Sequence, residues 1–136
     1  MIAIDTNVLV RYIVGDDPAQ SELASTFIET ELSPEAPGFI SLVALVELSW
    51  VLRRLYGASA ETVATILRTL LASPQIAVEN PDAVARAIAG PHEDVADGLI
   101  HEVGRSAGCE KTITFDRKFA RGPGVELLGP RNAGRA

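Results

Sequence analysis

The sequence predicts an α/β protein, a three-layer α/β/α sandwich with a short parallel sheet between two layers of helices. Short apolar runs alternate along the chain with longer segments in which apolar residues repeat at helical spacing. Proline and glycine residues separate these segments. Strands that alternate with helices usually pair in parallel, so the alternation favours a parallel sheet.

Five short strands are expected. The first is the apolar run 1–4, whose composition is typical of a strand buried on both faces of a parallel sheet. The others are predicted at 39–40, 76–78, 112–115 and 125–128, the last at an edge of the sheet.

Helices are predicted over the segments 6–14, 18–31, 42–55, 60–72, 81–89 and 94–107. Pro18 suits the first turn of the second helix, where a missing N–H costs nothing. Ser41 is suited to cap the third helix, and Gly57 to end it.

At 136 residues the chain has the length of one domain, expected over 1–128. The last segment, 129–136, lacks apolar anchors and is predicted to be a flexible tail. One cysteine excludes an internal disulfide framework and suits the cytoplasm. Polar residues interrupt the longest apolar stretch, 39–52, and the first residues lack a basic leader, so neither a membrane helix nor a signal peptide is expected.

The formal net charge of −6 argues at first against a nucleic-acid partner. Several of the 18 acidic residues would not repel a polyanion if they bound divalent cations, because such ions invert the local potential. The charge alone therefore does not decide the question.

Two aspartates come directly after predicted strands, Asp5 after the first and Asp116 after the fourth. Ligands of open α/β sheets bind beyond the carboxyl ends of the strands, so both are candidate site residues. The structural alternative is that each one caps the N-terminus of the following helix.

Glu47 lies in a predicted helix that is apolar almost all round, and such a helix is usually buried. A buried carboxylate needs a cation or a raised pKa. A bound metal would meet this need, and so would an ion pair with Arg54, seven residues further on.

Two further candidates begin the predicted helix at 94–107. On a helical wheel Val95, Leu99 and Ile100 define the buried arc, and Asp97 lies at its border. Asp94 points towards solvent with Gly98, and is better suited to cap the helix or to support the site from a second layer.

Mg²⁺ and Mn²⁺ prefer oxygen ligands and are often held by a few carboxylates while keeping several waters. One or two such ions can polarise a phosphate and lower the pKa of a bound water. Asp5, Glu47, Asp97 and Asp116 together thus predict a metal site that hydrolyses phosphodiester bonds.

The segments that carry these acids resemble PIN-domain ribonucleases, and within them the VapC-like toxins of bacterial type II toxin–antitoxin modules. They are Ile4–Leu9 around Asp5, the apolar helix around Glu47, Asp94–Ile100, and Gly108–Phe119 around Asp116. The resemblance covers essentially the whole chain.

The resemblance implies a PIN-like fold and a Mg²⁺- or Mn²⁺-dependent endoribonuclease. Asp5, Glu47 and Asp97 would be the main metal ligands, with Asp116 completing the acidic pocket. Thr6 and Thr114 match positions whose hydroxyls can support that pocket. The resemblance also implies an RNA substrate, a homodimer and a small antitoxin that covers the site.

Two other classes remain open. A Mg²⁺-binding signalling or interaction module without nuclease activity would also have an acidic pocket, although receiver domains usually show adjacent acids after the first strand, where Thr6 follows Asp5. A hydrolase with an aspartyl nucleophile usually has a second acid where Asn7 stands. A nucleotide-binding P-loop is absent from the sequence.

Two further expectations concern residues outside the acidic set. His101 is predicted to be a partly exposed helix residue, not a metal ligand. The apolar surface of 42–52 and 60–72 exceeds what a core needs and predicts a protein interface.

Overall fold

A computed structural model describes residues 1–130 and contains helices and strands in the predicted order. The chain divides into two compact units, Met1–Pro81 and the residues from Asp82 onward. The predicted domain limits, 1–128, stay a prediction, and most of the predicted tail (131–136) lies outside the described residues. No helix among the described residues has the length and apolarity needed to span a bilayer.

The first unit contains a parallel sheet of three strands in the order β1-β2-β3, formed by β1 (Ile2–Ala3), β2 (Gly38–Ile40) and β3 (Ile76–Val78). β1 is an outer strand of this sheet and both of its residues are exposed, so the expectation that it is buried on both faces was wrong. Gly38 allows close packing at β2, because a Cβ there would displace the terminal methyl groups of Ile4 and Leu32.

Four helices connect these strands along the chain. Between β1 and β2 lie α1 (Thr6–Val14) and α2 (Pro18–Thr26), and between β2 and β3 lie α3 (Leu42–Leu55) and α4 (Ala60–Ala72). α1 packs against α2 and α3, and α4 packs against α3 and β3. Their common core consists mainly of branched aliphatic side chains, among them Leu9, Ile28, Ile40, Leu45, Leu48 and Leu67.

Local signals set the ends of these helices. Ser41 Oγ accepts a hydrogen bond from the Ala44 N–H at 3.1 Å, which confirms the predicted cap of α3. Pro18 begins α2 as predicted. The helix expected to reach residue 31 changes to a π-helical turn over Phe27–Glu31.

The second unit contains the parallel pair β4 (Thr112–Thr114) and β5 (Val125–Leu127), with the helices α5 (Pro81–Ala89) and α6 (Val95–Ser106) and a 3₁₀ turn at Phe119–Arg121. β4 and β5 are each one residue shorter than predicted. The predicted α/β class with parallel strands is confirmed.

The faces of α6 differ from the predicted wheel. Gly98 is buried, and a Cβ there would lie 3.2 Å from the Ala87 carbonyl oxygen of α5, whereas Ile100 is exposed. His101, expected to be partly exposed, is buried and lies 2.9 Å from the Thr112 hydroxyl, measured from Nδ1. α6 thus buries small and polar residues where it meets α5 and β4.

Candidate metal centre

In the first unit, Asp5 and Glu47 line one pocket of about 400 Å³. Asp5 follows β1 and caps α1, because its Oδ1 accepts a hydrogen bond from the Thr6 N–H at 2.7 Å. Glu47 reaches the same pocket from α3, which packs against α1. The capping alternative for Asp5 is therefore correct, but it does not exclude a site role, since only Oδ1 forms this bond.

Glu47 is not buried as the sequence suggested. It is exposed on α3 beside Val43 and Trp50, both of which are also exposed. The Arg54 guanidinium lies 5.5 Å from the centre of the Trp50 ring, and no salt bridge joins Arg54 to Glu47 in the part of the chain that the structure describes. Glu47 is thus a carboxylate open to a ligand in the pocket.

Thr6 lines this pocket and shows that it suits a polar ligand. The residue is 7% exposed, and its Oγ1 has no hydrogen-bond partner among residues 1–130. A buried hydroxyl normally bonds to protein or to ordered water. An oxygen-rich ligand, such as a hydrated cation, would satisfy this group together with the Asp5 and Glu47 carboxylates.

In the second unit, Asp94, Asp97 and Asp116 form a group of like charges. Partial burial, and then the charges of Asp94 and Asp116, raise the pKa of the Asp97 carboxyl above its ordinary value. Asp94 caps α6, since its Oδ1 accepts from the N–H groups of Ala96 at 2.8 Å and Asp97 at 3.4 Å. The predicted cap of α6 by Asp94 is confirmed, whereas the preference for Asp97 as the site residue stays a prediction.

Asp116 is held by the turn that follows β4. Its backbone N–H donates to Thr114 Oγ1 at 3.0 Å, and its Oδ1 accepts from the N–H groups of Lys118 at 2.8 Å and Phe119 at 3.2 Å. Asp116 thus stabilises the turn that leads into the 3₁₀ segment Phe119–Arg121, but the N-cap position of that segment is Lys118, so the capping alternative does not hold for Asp116. Thr114 orients the backbone that carries this carboxylate.

The donor chemistry of these residues fits a hard divalent cation. The candidate ligands are all carboxylate oxygens, which Mg²⁺ and Mn²⁺ prefer. Within residues 1–130, no three His, Cys, Asp or Glu side chains are grouped closely enough to hold a metal on their own. Mg²⁺ usually keeps several waters, so a few carboxylates suffice to bind it.

The family model of the PIN domain matches residues 2–125, which extend across both units. The chain belongs to the PIN domain family. PIN domains are generally metal-dependent nucleases that use divalent cations such as Mg²⁺, and the helices and parallel strands of this PIN domain are consistent with a three-layer α/β/α fold. A search of curated proteins found no match.

Three further polar residues, Asn7, Arg11 and Tyr56, line the pocket with Asp5 and Glu47. The sequence offered Arg11 only as one of several basic residues that could contact RNA phosphates, and it indicated neither Asn7 nor Tyr56 as a site residue. Asn7 and Arg11 are four residues apart on α1, so their common face was visible in the sequence. Glu79 directly follows β3, and a position directly after a strand was the signal that identified Asp5. Glu79 Oε1 accepts a hydrogen bond of 2.9 Å from the Leu42 N–H at the start of α3.

Proposed function

We propose that this PIN domain protein is a Mg²⁺- or Mn²⁺-dependent endoribonuclease that acts as the toxin of a toxin–antitoxin pair. The observation that carries the nuclease proposal is that Asp5 and Glu47 share a pocket with the unpartnered, buried Thr6 hydroxyl. Metal-dependent nuclease activity is the general property of the family.

The four acids Asp5, Glu47, Asp97 and Asp116 are proposed to serve one reaction. Support comes from the family match, which includes all four positions, and from their shared oxygen-donor chemistry. Burial and the charges of its neighbours raise the pKa of Asp97, so a nearby cation would stabilise the ionised form of this acid.

When bound, the metal would supply a Lewis acid for the phosphate and lower the pKa of a coordinated water. Asp5 and Glu47 would hold the cation and orient the attacking water through their carboxylate oxygens. Asp97 and Asp116 would also bind the cation through their carboxylate oxygens. Thr114 would fix the position of Asp116. The Thr6 hydroxyl would bond to a water of this group.

Support for a small protein partner comes from a second pocket of the first unit, about 730 Å³ in volume, between α1 and α2. Apolar side chains line it, including Val8, Leu23 and Phe27, and Leu23 is 72% exposed. Such a groove suits the apolar face of a peptide segment. We propose that an antitoxin segment binds there, next to Asp5, which also lines this pocket.

A homodimer is proposed through α3. Val43, Trp50 and Leu55 are all exposed on this helix, whereas the large apolar residues of α4 are buried or half-buried. Exposed apolar clusters of this kind are typical of protein interfaces. Light scattering of Val43→Asp should give half the mass of the natural protein; a natural chain that is monomeric at micromolar concentration would contradict this assembly.

The nuclease proposal is tested with purified protein free of any antitoxin. RNA cleavage should require added Mg²⁺ or Mn²⁺, stop with a chelator, and fall at least about 100-fold in Asp5→Asn. Sequencing the 5′ ends of the fragments would then identify the RNA and the cleaved sequence. Absence of cleavage with intact metal binding would favour the alternative, a Mg²⁺-binding interaction module without nuclease activity.

A further inference from the structure

Arg11 places a positive charge in the pocket that holds Asp5 and Glu47. Among the described residues lining this pocket, it alone carries a cationic side chain. Two carboxylates repel a phosphodiester, so a substrate that approaches them needs compensating positive charge. A guanidinium supplies such charge together with directed N–H donors that match phosphate oxygens.

Two polar side chains, Gln20 and Asp16, accept hydrogen bonds from Arg11, and Tyr56 in turn holds Asp16. Arg11 Nε donates to Gln20 Oε1 at 2.8 Å, and its Nη1 donates to Asp16 Oδ1 at 2.7 Å. The second oxygen of Asp16 accepts from the Tyr56 hydroxyl at 2.7 Å. These bonds connect α1 with the start of α2 and the end of α3, and they fix the direction of the guanidinium.

The guanidinium keeps free binding capacity in this arrangement. It has five N–H donors, and the bonds to Gln20 and Asp16 use two of them in the part of the chain that the structure describes. About a third of the side chain, 31%, is exposed. The hydrogen bond from Tyr56, followed by that from Arg11, holds the pKa of Asp16 below its ordinary value, so Asp16 is ionised at neutral pH.

We propose that Arg11 binds a phosphate oxygen of the RNA backbone at this pocket, and that Asp16 and Tyr56 position it for that contact. The inference rests on the proposed nuclease function and adds a substrate-binding residue to it. Asp16 has two opposing effects, because it orients the guanidinium and also offsets part of its charge. A phosphate group therefore competes with Asp16 for Arg11.

A purely structural role for Arg11 makes a different prediction. Arg11→Gln and Asp16→Asn break the same ion pair, so a structural role predicts that both variants lose stability and RNA affinity together. A phosphate contact predicts opposite changes in affinity. Arg11→Gln removes the contact, whereas Asp16→Asn frees the guanidinium from a competing charge.

The test measures the affinity of a fluorescein-labelled single-stranded RNA 12-mer by anisotropy, with EDTA present to prevent cleavage and with NaCl varied from 50 to 200 mM. We expect Arg11→Gln to bind about tenfold more weakly at low salt and Asp16→Asn about two- to fivefold more tightly. The slope of log affinity against log salt should fall by about 0.7 in Arg11→Gln, the value for one phosphate contact on a single strand. Over this fourfold salt range, that slope equals a difference of about 2.6-fold.

Arg11→Lys is the second variant. It keeps the positive charge and is expected to fold even if Arg11→Gln does not. It should restore the salt slope but only part of the affinity, since an ammonium cannot reproduce the planar fork. Parallel thermal unfolding of each variant separates binding from stability.

Two results would overturn the inference while leaving the nuclease proposal intact: parallel losses of affinity in Arg11→Gln and Asp16→Asn, or an unchanged salt slope in Arg11→Gln, each with a natural protein that still cleaves RNA. A natural protein that binds no RNA in EDTA overturns the phosphate contact, and cleavage with added Mg²⁺ then decides the nuclease proposal separately. A protein that binds RNA with the expected opposite changes but never cleaves it supports the phosphate contact and contradicts the nuclease.

Discussion

The Thr114 hydroxyl accepts a hydrogen bond of 3.0 Å from the backbone N–H of Asp116, two residues further along the chain. This bond shapes the turn after β4 and fixes the position of the Asp116 backbone, from which the carboxylate extends. If Asp116 acts in cleavage, Thr114→Val should lower the rate about tenfold, because a carboxylate displaced by a fraction of an ångström binds and orients less well.

Thr114→Ser is the matched control, since it keeps the hydroxyl and should keep most of the activity. Initial rates of RNA cleavage at saturating Mg²⁺ compare the two variants. Equal rates for Thr114→Val and the natural protein would remove Thr114 from the supporting residues of the site.

The raised pKa of Asp97 predicts a conflict between stability and activity. A group whose pKa is raised by folding adds stability below its ordinary value, near 3.8, and that stability is lost as the pH rises through the raised value. Without metal at neutral pH, Asp97→Asn should therefore melt about 1–2 °C higher than the natural protein. The difference should shrink as the pH is lowered to about 4.

Added Mg²⁺ should reverse this order, since a cation stabilises the ionised natural protein more than the amide variant. Differential scanning fluorimetry with EDTA and with Mg²⁺ measures both effects, and Asp82→Asn is an exposed aspartate for comparison. If Asp97→Asn melts at a lower temperature than the natural protein in EDTA, then burial and the neighbouring carboxylates do not destabilise the ionised Asp97.

Asp94 should be separable into a capping role and a site role. Its Oδ1 accepts from the Ala96 N–H at 2.8 Å, so Asp94→Ala should lower the free energy of unfolding by about 1 kcal/mol. Asp94→Ser restores a cap without a carboxylate. Urea unfolding should rank Asp94→Ser near the natural protein.

If Asp94 only caps α6, Asp94→Ser should also cleave RNA within about threefold of the natural rate, a difference of less than 1 kcal/mol. A loss of 100-fold or more in a stable Asp94→Ser variant would instead make Asp94 a direct member of the metal site.

Glu102 should make the second unit sensitive to acid. The residue is 8% exposed; burial opposes its ionisation, but the hydrogen bond from Arg86 and the charge of Arg105 outweigh burial and hold its pKa below the ordinary value. The Arg86 Nε lies 2.9 Å from Glu102 Oε2. Because the pKa is lowered by folding, this contribution is present at neutral pH and is lost as the pH falls through the folded-state value.

Glu102→Gln should therefore lower the free energy of unfolding at pH 7 by about 1–2 kcal/mol, less than for a fully buried pair because both arginines are partly exposed. Urea unfolding should show the two proteins converging as the pH falls through the folded-state pKa of Glu102, which lies below the ordinary value of 4.5. Glu110→Gln, at an exposed glutamate of the same unit, should have little effect at either pH. A constant difference across this pH range would assign the loss to packing.

Local sequence signals determined most of the secondary structure. Helical spacing of apolar residues gave the extents of α1, α3, α4 and α5, and Ser41 and Pro18 marked helix starts as predicted. Asp5 and Asp116 stood out because each follows a strand. These properties depend on residues a few positions apart, which the sequence displays directly.

Burial and the composition of the pocket were decided only by the tertiary structure. The apolar composition of α3 predicted a buried Glu47, yet one face of this helix carries the exposed Val43 and Trp50 and opens to the pocket. Tyr56 and Arg11 meet through Asp16 across distant parts of the chain. The sequence thus identified acids that suit a metal and a phosphate. The packing of α1 against α3 decided that Asp5 and Glu47 share a pocket with Arg11, because contacts between distant segments depend on how whole helices fit together.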